Sequence, residues 1–295
     1  MQKIKFKDKK YNLALGSANF GLKYGISSNK KINEKEIKKI IIYAKKNKIR
    51  FIDTSQAYKN AEKILGRNNL NNFQVITKFK FYEKKIHNIE AKISQKLKSS
   101  FNNLKIKKLD TILFHNYKDC LRPESTEIFN YLLKLKKIKK IKKIGVSINS
   151  PKEFFKIEDK FDFDIVQAPL NVFDRRLIES GLKKKLDKKK IPVIIRSIYL
   201  QGLLLLSRNK KPDFFSNNKL WQKWHNWIEK NQISKMETSI NFVSKYLKKS
   251  DIILTGVEDT SQLRELLKLN IYKNFSIPNN ISSKNKKIIE PSYWD

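Results

Sequence analysis

The chain has 295 residues, 40% of them hydrophobic, and a formal net charge of +37. This length allows one large or two small globular domains with a sizeable apolar core. The single cysteine, Cys120, excludes an internal disulfide, and three histidines that never occur at ligand spacing leave little material for a structural metal site.

Membrane and export signals are not evident in the sequence. No apolar run reaches the roughly 20 residues of a membrane-spanning helix. Residues 1–7 alternate charged and apolar side chains, unlike the uninterrupted apolar region of a signal peptide. Together with the lone cysteine, this predicts a cytoplasmic protein with no membrane partner.

The excess of lysine has two explanations. A surface of this charge attracts polyanions at low salt, which would suit a polyanion-binding protein. The lysines are scattered over nearly every segment, however, among many Asn and Ile residues, as an AT-rich coding sequence would produce. The runs Lys134 to Lys143 and Lys183 to Lys190 lie on or beside predicted helices, where an exposed face is the usual explanation. We therefore expect no nucleic-acid partner.

Strands and helices alternate along the chain after a predicted N-terminal β-hairpin. Residues 13–21 predict a strand that runs into a glycine-bearing loop, and Asn33 with Glu36 predicts a capping box at the next helix. Further strands are predicted at residues 51–53, 74–78, 110–115, 143–147, 165–168, 193–197 and 252–256, with helices between them, including 89–104, 125–137 and 260–269.

This alternation predicts the fold class. Strands that are apolar on both faces and separated by helices call for a parallel sheet. About eight such units in 295 residues fit a closed (β/α)8 TIM barrel better than an open sheet. A GxGxxG turn, typical of a Rossmann domain, does not follow the first strand. Since no Pro-, Gly- or Ser-rich linker divides the chain, we expect one domain over residues 1–295.

A long loop, Leu200 to Gln232, follows the seventh barrel strand. It carries Trp221, Trp224 and Trp227 at a spacing that places the indoles on one face of a helix. These residues either pack the loop onto the barrel or form an aromatic wall over a substrate pocket.

Polar residues at the strand ends indicate where chemistry takes place, because barrel enzymes keep their active site at the carboxyl ends of the strands. Asp53, Lys78 and His115 end three consecutive predicted strands, and Tyr58 follows Asp53 closely. Each residue alone has an ordinary structural explanation, such as a helix cap or a core position. An acid, a base, an imidazole and a phenol on one rim together predict an active site.

The four side chains suit a tyrosine general acid. Tyrosine has an unperturbed pKa near 10 and donates a proton poorly near pH 7. An ammonium within a few ångströms of a phenol favours the phenolate and lowers that pKa, and a carboxylate paired to the lysine keeps it charged and in place.

Short motifs across the whole barrel carry a family resemblance. They are Asp53-Thr54-Ser55-Gln56-Ala57-Tyr58 with Glu62 and Leu65-Gly66, Ile76-Thr77-Lys78, Leu113-Phe114-His115-Asn116, Gly145-Val146-Ser147, Val166-Gln167, Asn171 to Arg176, Arg196-Ser197 with Gln201 to Leu204, and Gly256-Val257-Glu258 with Gln262-Leu263. In these motifs and their order, the chain resembles the aldo-keto reductase superfamily over about residues 10–270.

The resemblance implies an NAD(P)H-dependent reductase that converts an aldehyde or ketone to an alcohol. Tyr58 would donate the proton, Lys78 paired to Asp53 would tune it, and His115 would orient the carbonyl. The implied cofactor is NADPH. Its binding residues would be Asp53 at the ribose, Ser147, Asn149 and Gln167 at the carboxamide, Ser197, Leu200, Gln201 and Gly202 at the pyrophosphate, and Gly256, Val257, Glu258 and Gln262 at the adenosine.

Two departures from the family pattern leave NADH as an alternative cofactor. Many NADPH-preferring relatives place Lys or Arg after the last strand, whereas this chain has Glu258, which would repel a 2′-phosphate, and its nearest guanidinium is Arg264. A common Asn near the adenine is replaced by Leu266.

The substrate implied is a small carbonyl compound, and a sugar-like aldehyde or ketone is the expected type. The lysines and aromatics of residues 200–232 would suit an anionic or sugar-like molecule, and residues 16–25 resemble reductases of bacterial sugar and surface-polysaccharide pathways. The alternative function is a non-catalytic nucleotide-binding regulatory or scaffold subunit on the same barrel. The intact set of four residues counts against it. A monomer is the default expectation for this family.

Overall fold

Eight parallel strands close into a barrel that is surrounded by helices. The structure is a computed structural model that describes residues 3–5, 12–26, 32–83, 88–215, 218–272 and 276–294. The described strands are β1 (Lys3–Lys5), β2 (Asn12–Gly16), β3 (Phe51–Asp53), β4 (Gln74–Phe79), β5 (Leu109–Phe114), β6 (Ile141–Ser147), β7 (Ile165–Pro169), β8 (Val193–Arg196), β9 (Ile252–Thr255) and β10 (Asn270–Tyr272). The barrel order is β2-β3-β4-β5-β6-β7-β8-β9, and β9 pairs with β2 to close it.

Helices connect the strands on the outside of the barrel. They are α1 (Ala18–Gly21), α2 (Glu34–Lys46), α3 (Ala61–Gly66), α4 (Ile89–Leu104), α5 (Ser125–Lys137), α6 (Pro151–Phe155), α7 (Arg176–Glu179), α8 (Leu182–Lys188), α9 (Leu220–Asn231), α10 (Lys235–Ser244), α11 (Thr260–Lys268) and α12 (Lys286–Ile289), and short 3-10 helices occur at Tyr117–Leu121, Leu203–Leu205, Asp213–Phe215 and Pro291–Tyr293. The predicted (β/α)8 TIM barrel is therefore confirmed.

The barrel interior is apolar at one level. Ala14, Phe51, Ile76, Leu113, Ile165, Ile194 and Ile252 form one buried cluster with a residue from nearly every barrel strand. Side chains two positions apart share a face of a strand. The next inward-facing position along each strand therefore lies one layer closer to the carboxyl end of the barrel.

The N-terminal strand β1 pairs with a strand near the other end of the sequence. β1 runs antiparallel to β10, with Lys3 opposite Tyr272 and Lys5 opposite Asn270. The second strand of the predicted N-terminal β-hairpin would fall in residues 6–11, which lie outside the described residues, so the hairpin stays a prediction.

The capping box at α2 is only half formed. Asn33 accepts a hydrogen bond from the Glu36 backbone N–H at 2.8 Å, as predicted. The Glu36 carboxylate instead accepts hydrogen bonds from the backbone N–H and the hydroxyl of Thr260, at 2.9 and 2.7 Å. It joins α2 to the start of α11, since Thr260 offers two donors there.

One lysine run is not a purely exposed face. Lys183 is 4% exposed, and its ammonium lies 2.5 Å from Asp187 Oδ1 and 2.9 Å from Asp251 Oδ2. It therefore ties α8 to the loop before β9.

The long loop after β8 is held by its tryptophans. Trp221 and Trp224 are buried, and their indole N–H groups donate to the backbone oxygens of Arg208 at 3.0 Å and Leu204 at 3.3 Å. Trp224 also meets the Phe173 ring edge to face, with centroids 6.0 Å apart. These contacts favour the interpretation that the tryptophans pack the loop onto the barrel.

Within the described residues, no helix is both long and apolar enough to cross a membrane.

Candidate active site

Period-two alternation builds a ring of polar side chains above the apolar layer. Asp53 lies two residues beyond Phe51, Lys78 two beyond Ile76, and His115 two beyond Leu113. The same step leads from Ile165 to Gln167 and from Ile194 to Arg196. Because the strands are parallel and in register, these side chains converge at the carboxyl end of the barrel.

Asp53 and Lys78 form a buried ion pair at the centre of the ring. The Lys78 ammonium lies 2.5 Å from Asp53 Oδ1 and donates a second hydrogen bond to the Thr54 oxygen at 2.9 Å. The other carboxylate oxygen, Asp53 Oδ2, accepts from Gln167 Nε2 at 2.8 Å. Burial disfavours the ammonium, but the charge of Asp53 and the presence of Tyr58 outweigh it, so the pKa of Lys78 is raised. Lys78 is therefore a fixed positive charge.

Tyr58 lies directly above this pair. The Lys78 ammonium is 5.2 Å from the centroid of the Tyr58 ring, and the His115 ring meets the Tyr58 ring edge to face at 6.0 Å. Tyr58 lies in a tight turn, in which its backbone N–H donates to the backbone oxygen of Ser55 at 3.0 Å. The structure thus brings together the four residues that the sequence predicts as catalytic.

A glycine allows this turn to pack closely. A Cβ atom on Gly21, at the end of α1, would lie 2.0 Å from the backbone oxygen of Tyr58 and 2.8 Å from the backbone nitrogen of Ala61. Only glycine fits there without moving the turn. Gly21 therefore helps to set the position of Tyr58.

His115 is a neutral imidazole near pH 7. Its Nδ1 lies 3.0 Å from the Ser55 hydroxyl. Burial, followed by the charges of Lys78, Arg196 and Lys80, lowers its pKa to about 3. A neutral ring can donate one hydrogen bond into the cleft without adding charge.

A buried carboxylate supports the turn from behind. Glu62 is 2% exposed and accepts hydrogen bonds from the hydroxyls of Thr77 at 2.7 Å and Ser100 at 2.9 Å. Ser100 also accepts from Gln56 Nε2 at 2.8 Å. This network joins the segment around Tyr58 to β4 and α4, which explains the glutamate in the strand-two motif.

A cleft that is lined by Asp53 and Tyr58 extends across the end of the barrel. Most of the residues predicted to bind the cofactor line it together: Asp53, Gln167, Ser197, Gln201, Gly202, Gly256, Glu258 and Gln262.

Four predicted cofactor residues do not line the cleft. Ser147 lies behind it and donates to Gln167 Oε1 at 3.2 Å, whereas Asn149 accepts from Arg196 Nη2 at 2.6 Å. Leu200 and Val257 are buried apolar residues, and the Val257 oxygen accepts from Asn19 at 2.7 Å. Ser147 and Asn149 thus contact cleft residues, whereas Leu200 and Val257 face the core.

Several cleft residues were not predicted from the sequence. Arg196 was noted only within a motif, although its spacing from Ile194 would have placed it in the ring. Ser17, Asn19 and Tyr24 also line the cleft. They follow the first barrel strand, but Ser and Asn are so common in loops that their types alone carry little signal.

The backbone beside the cleft adopts an unusual conformation. Ser197, Leu200 and Gln201 have φ values of 57°, 48° and 53°, and Gly202 follows with 91°. Positive φ in non-glycine residues concentrates at ligand-binding sites, where the surrounding structure holds the strain. This segment forms one wall of the cleft.

Sequence comparison identifies the family. A sequence model described as the Aldo/keto reductase family matches residues 12–277. The chain belongs to the aldo/keto reductase family. It is therefore placed among oxidoreductases that generally use NADPH or NADH. No curated protein matches the chain.

Solved aldo/keto reductase structures share the fold. A glycerol dehydrogenase of Gluconobacter oxydans is 23% identical, with a TM-score of 0.68 over 95% of this chain and 90% of that chain. The holo form of an aldo-keto reductase of Bacillus halodurans is 17% identical, with a TM-score of 0.68 over 90% of each chain. These neighbours support the barrel assignment. Groups of three or more metal-ligating side chains were not found in the described part of this reductase.

Proposed function

We propose that this aldo/keto reductase reduces a small aldehyde or ketone to an alcohol, with the proton supplied by Tyr58. The observation that carries the proposal is the buried Lys78–Asp53 pair beneath Tyr58, with the Lys78 ammonium 5.2 Å from the phenol ring. A fixed ammonium stabilises negative charge on the phenol oxygen as the proton leaves. A scaffold protein would have no need for this arrangement.

The cleft fits a nicotinamide dinucleotide. Ser17 Oγ and Asn19 Oδ1 are buried on its wall and have no hydrogen-bond partner in the described structure. Buried polar atoms are rarely left unpaired, so both await a polar ligand. When bound, NADPH or NADH supplies the hydride.

Other residues would bind the cofactor and orient the substrate. Gln167, a member of the ring of polar residues, is held by Asp53 and Ser147, lines the cleft and would bind the carboxamide. Ser197, Gln201 and Gly202 would hold the pyrophosphate. His115, neutral and fixed by Ser55, would donate a hydrogen bond to the substrate carbonyl and align it with Tyr58.

The choice between NADPH and NADH depends on the wall formed by residues 256–262. Glu258 lines the cleft there. The Arg264 guanidinium, the nearest one in sequence, instead lies 5.6 Å from the Tyr43 ring centroid and is not a lining residue. NADPH is the family expectation, but this wall favours NADH. Dissociation constants for both cofactors decide the matter: tighter binding of NADPH would contradict a preference for NADH.

We propose that the substrate is a small, sugar-like carbonyl compound. One structural neighbour is a glycerol dehydrogenase, and glycerol is a small polyhydroxylated molecule, which supports a substrate of similar character for this chain. The test is a screen of aldehydes, ketones and keto-sugars with each cofactor, followed by the loss of nicotinamide absorbance. Reduction of at least one carbonyl compound supports the proposal, and cofactor binding without any turnover favours the non-catalytic alternative.

A further inference from the structure

Arg196 occupies a central position that the proposed chemistry does not use. It ends β8, two residues beyond the inward-facing Ile194, and so belongs to the same ring as Asp53, Lys78 and His115. Among the described residues that line the cleft, it is the one with a cationic side chain.

The contacts of Arg196 fix the guanidinium without neutralising it. Nη2 donates to the Ile148 oxygen at 3.0 Å and to Asn149 Oδ1 at 2.6 Å, and Nη1 donates to the Ser197 hydroxyl at 3.2 Å. All three acceptors are uncharged. In the described part of the chain, no carboxylate lies within 4.0 Å of the Arg196 guanidinium, and its Nε atom donates no hydrogen bond. An arginine offers five N–H donors, so some remain for a ligand.

Asn149, the main acceptor, is itself held in place. Its backbone N–H donates to Glu153 Oε2 at 2.6 Å, and its backbone oxygen accepts from Arg176 Nη2 at 3.1 Å. Arg176 in turn pairs with Glu290 at 2.6 Å. The guanidinium is therefore positioned by a chain of contacts that reaches the C-terminal segment.

Charge at the reacting end of the cleft is unbalanced. Asp53 neutralises Lys78, and His115 is uncharged near pH 7. The other acidic residue on the cleft wall, Glu258, belongs to the segment after β9, where we place the adenosine. A half-buried cation with no counter-charge is costly unless a ligand supplies one.

We propose that Arg196 selects carbonyl substrates that carry a carboxylate or phosphate near the reacting carbon. The guanidinium would bind the anionic oxygens, as arginine does through its planar set of donors. This inference rests on the reductase function proposed above. The pyrophosphate of the cofactor offers the same chemistry, and the experiment separates the two sources.

The experiment compares two substrates of matched size, 4-formylbenzoate and the neutral 4-formylbenzamide, at saturating cofactor. We expect the wild type to show a kcat/KM higher by about 10- to 100-fold for the anion, the range of a charge-assisted hydrogen bond. Arg196→Met should bring the ratio close to one. Arg196→Lys should give an intermediate ratio, because lysine keeps the charge but loses the planar fork. Glyceraldehyde 3-phosphate and glyceraldehyde repeat the comparison for a phosphate.

The outcomes are distinguishable. Equal kcat/KM for anion and amide in the wild type, in both substrate pairs, would overturn the inference and leave the reductase proposal intact. An unchanged ratio in Arg196→Met, with either a weaker cofactor affinity or a uniform loss of activity, would also overturn it and assign Arg196 to the pyrophosphate or to structure. A wild type that turns over no carbonyl at all contradicts the reductase proposal itself.

Discussion

The Lys78 ammonium lies 2.5 Å from Asp53 Oδ1, and both side chains are at most 2% exposed. Neither charge would be tolerated alone at this depth. The pair, together with the hydrogen bonds from Lys78 to Thr54 and from Gln167 to Asp53, gives the barrel a charged group that stays in place beneath Tyr58. The stability of the fold and the chemistry of the site therefore depend on the same contact.

Replacing Asp53 by asparagine should lower both the stability of the fold and the activity of the site. The isosteric amide leaves Lys78 buried without its counter-charge, a loss that typically costs about 3–5 kcal/mol. We expect this decrease in the free energy of unfolding, measured by urea denaturation, together with a large loss of turnover.

Glu229→Gln is the matched control for that substitution. Its partner Arg208 lies 2.9 Å away, but both side chains are well exposed. Exposed pairs contribute little, so unfolding should be unaffected. An Asp53→Asn protein as stable as the control would show that the buried pair is not held as described.

Gly21→Ala tests whether close packing positions Tyr58. The added methyl would lie 2.0 Å from the backbone oxygen of Tyr58, so the turn that carries Tyr58 must move. Overpacking of this kind costs about 1–3 kcal/mol, and a displaced Tyr58 should lower kcat. Thermal denaturation and steady-state kinetics measure the two effects.

Gly256→Ala provides the contrast. Its Cβ would lie 3.9 Å from the nearest side chain, Asn19, at ordinary contact distance. We expect normal stability and normal Tyr58 placement, with any effect confined to cofactor affinity. Equal behaviour of the two alanine variants would contradict a special role for Gly21.

Acid should destabilise the fold through buried histidine. His225 packs against Trp221 with ring centroids 4.5 Å apart, and burial, followed by the nearby charges of Lys235 and Arg208, lowers its pKa to about 4. In the unfolded chain, His225 binds a proton with a pKa near 6.5. The contribution of neutral His225 to the free energy of unfolding is therefore complete above pH 6.5 and is lost as the pH falls towards 4.

The measurement is the difference between the wild type and His225→Phe. His115, whose pKa is also lowered, titrates in the same sense as His225. Asp119 titrates in the opposite sense, since burial raises its pKa to about 6, so the wild-type profile alone does not isolate His225. Between pH 7 and pH 5, the free energy of unfolding should fall more in the wild type than in the variant. Parallel profiles would mean that His225 is not neutral in the fold.

Local patterns predicted the barrel and the ring of polar residues well. The strands are short apolar runs, most of which end at a polar or glycine residue, so the predicted strand bounds agree with the structure to within two residues. The placement of Asp53 and Lys78 depends only on side-chain alternation along a strand, which the sequence shows directly. The adjacent Tyr58 follows from chain proximity.

Contacts between distant segments could not be predicted in this way. β1 has three residues, and its partner β10 lies near the other end of the chain, so no local pattern indicates the pairing. Glu36 bonds to Thr260 for a similar reason. Leu200 and Val257 were assigned by family motif, which fixes a position along the chain but not the face on which the side chain lies.

Substitution of Tyr58 by phenylalanine tests the central claim most directly. The ring remains while the hydroxyl is lost, and Tyr43→Phe, outside the cleft, serves as the control. The account predicts that kcat for a carbonyl compound reduced by the wild type falls by about 10²- to 10⁴-fold, while the dissociation constants of NADPH and NADH stay within about twofold, as they should if the hydroxyl acts only on the substrate. Unchanged turnover in Tyr58→Phe would contradict the assignment of Tyr58 as the proton donor.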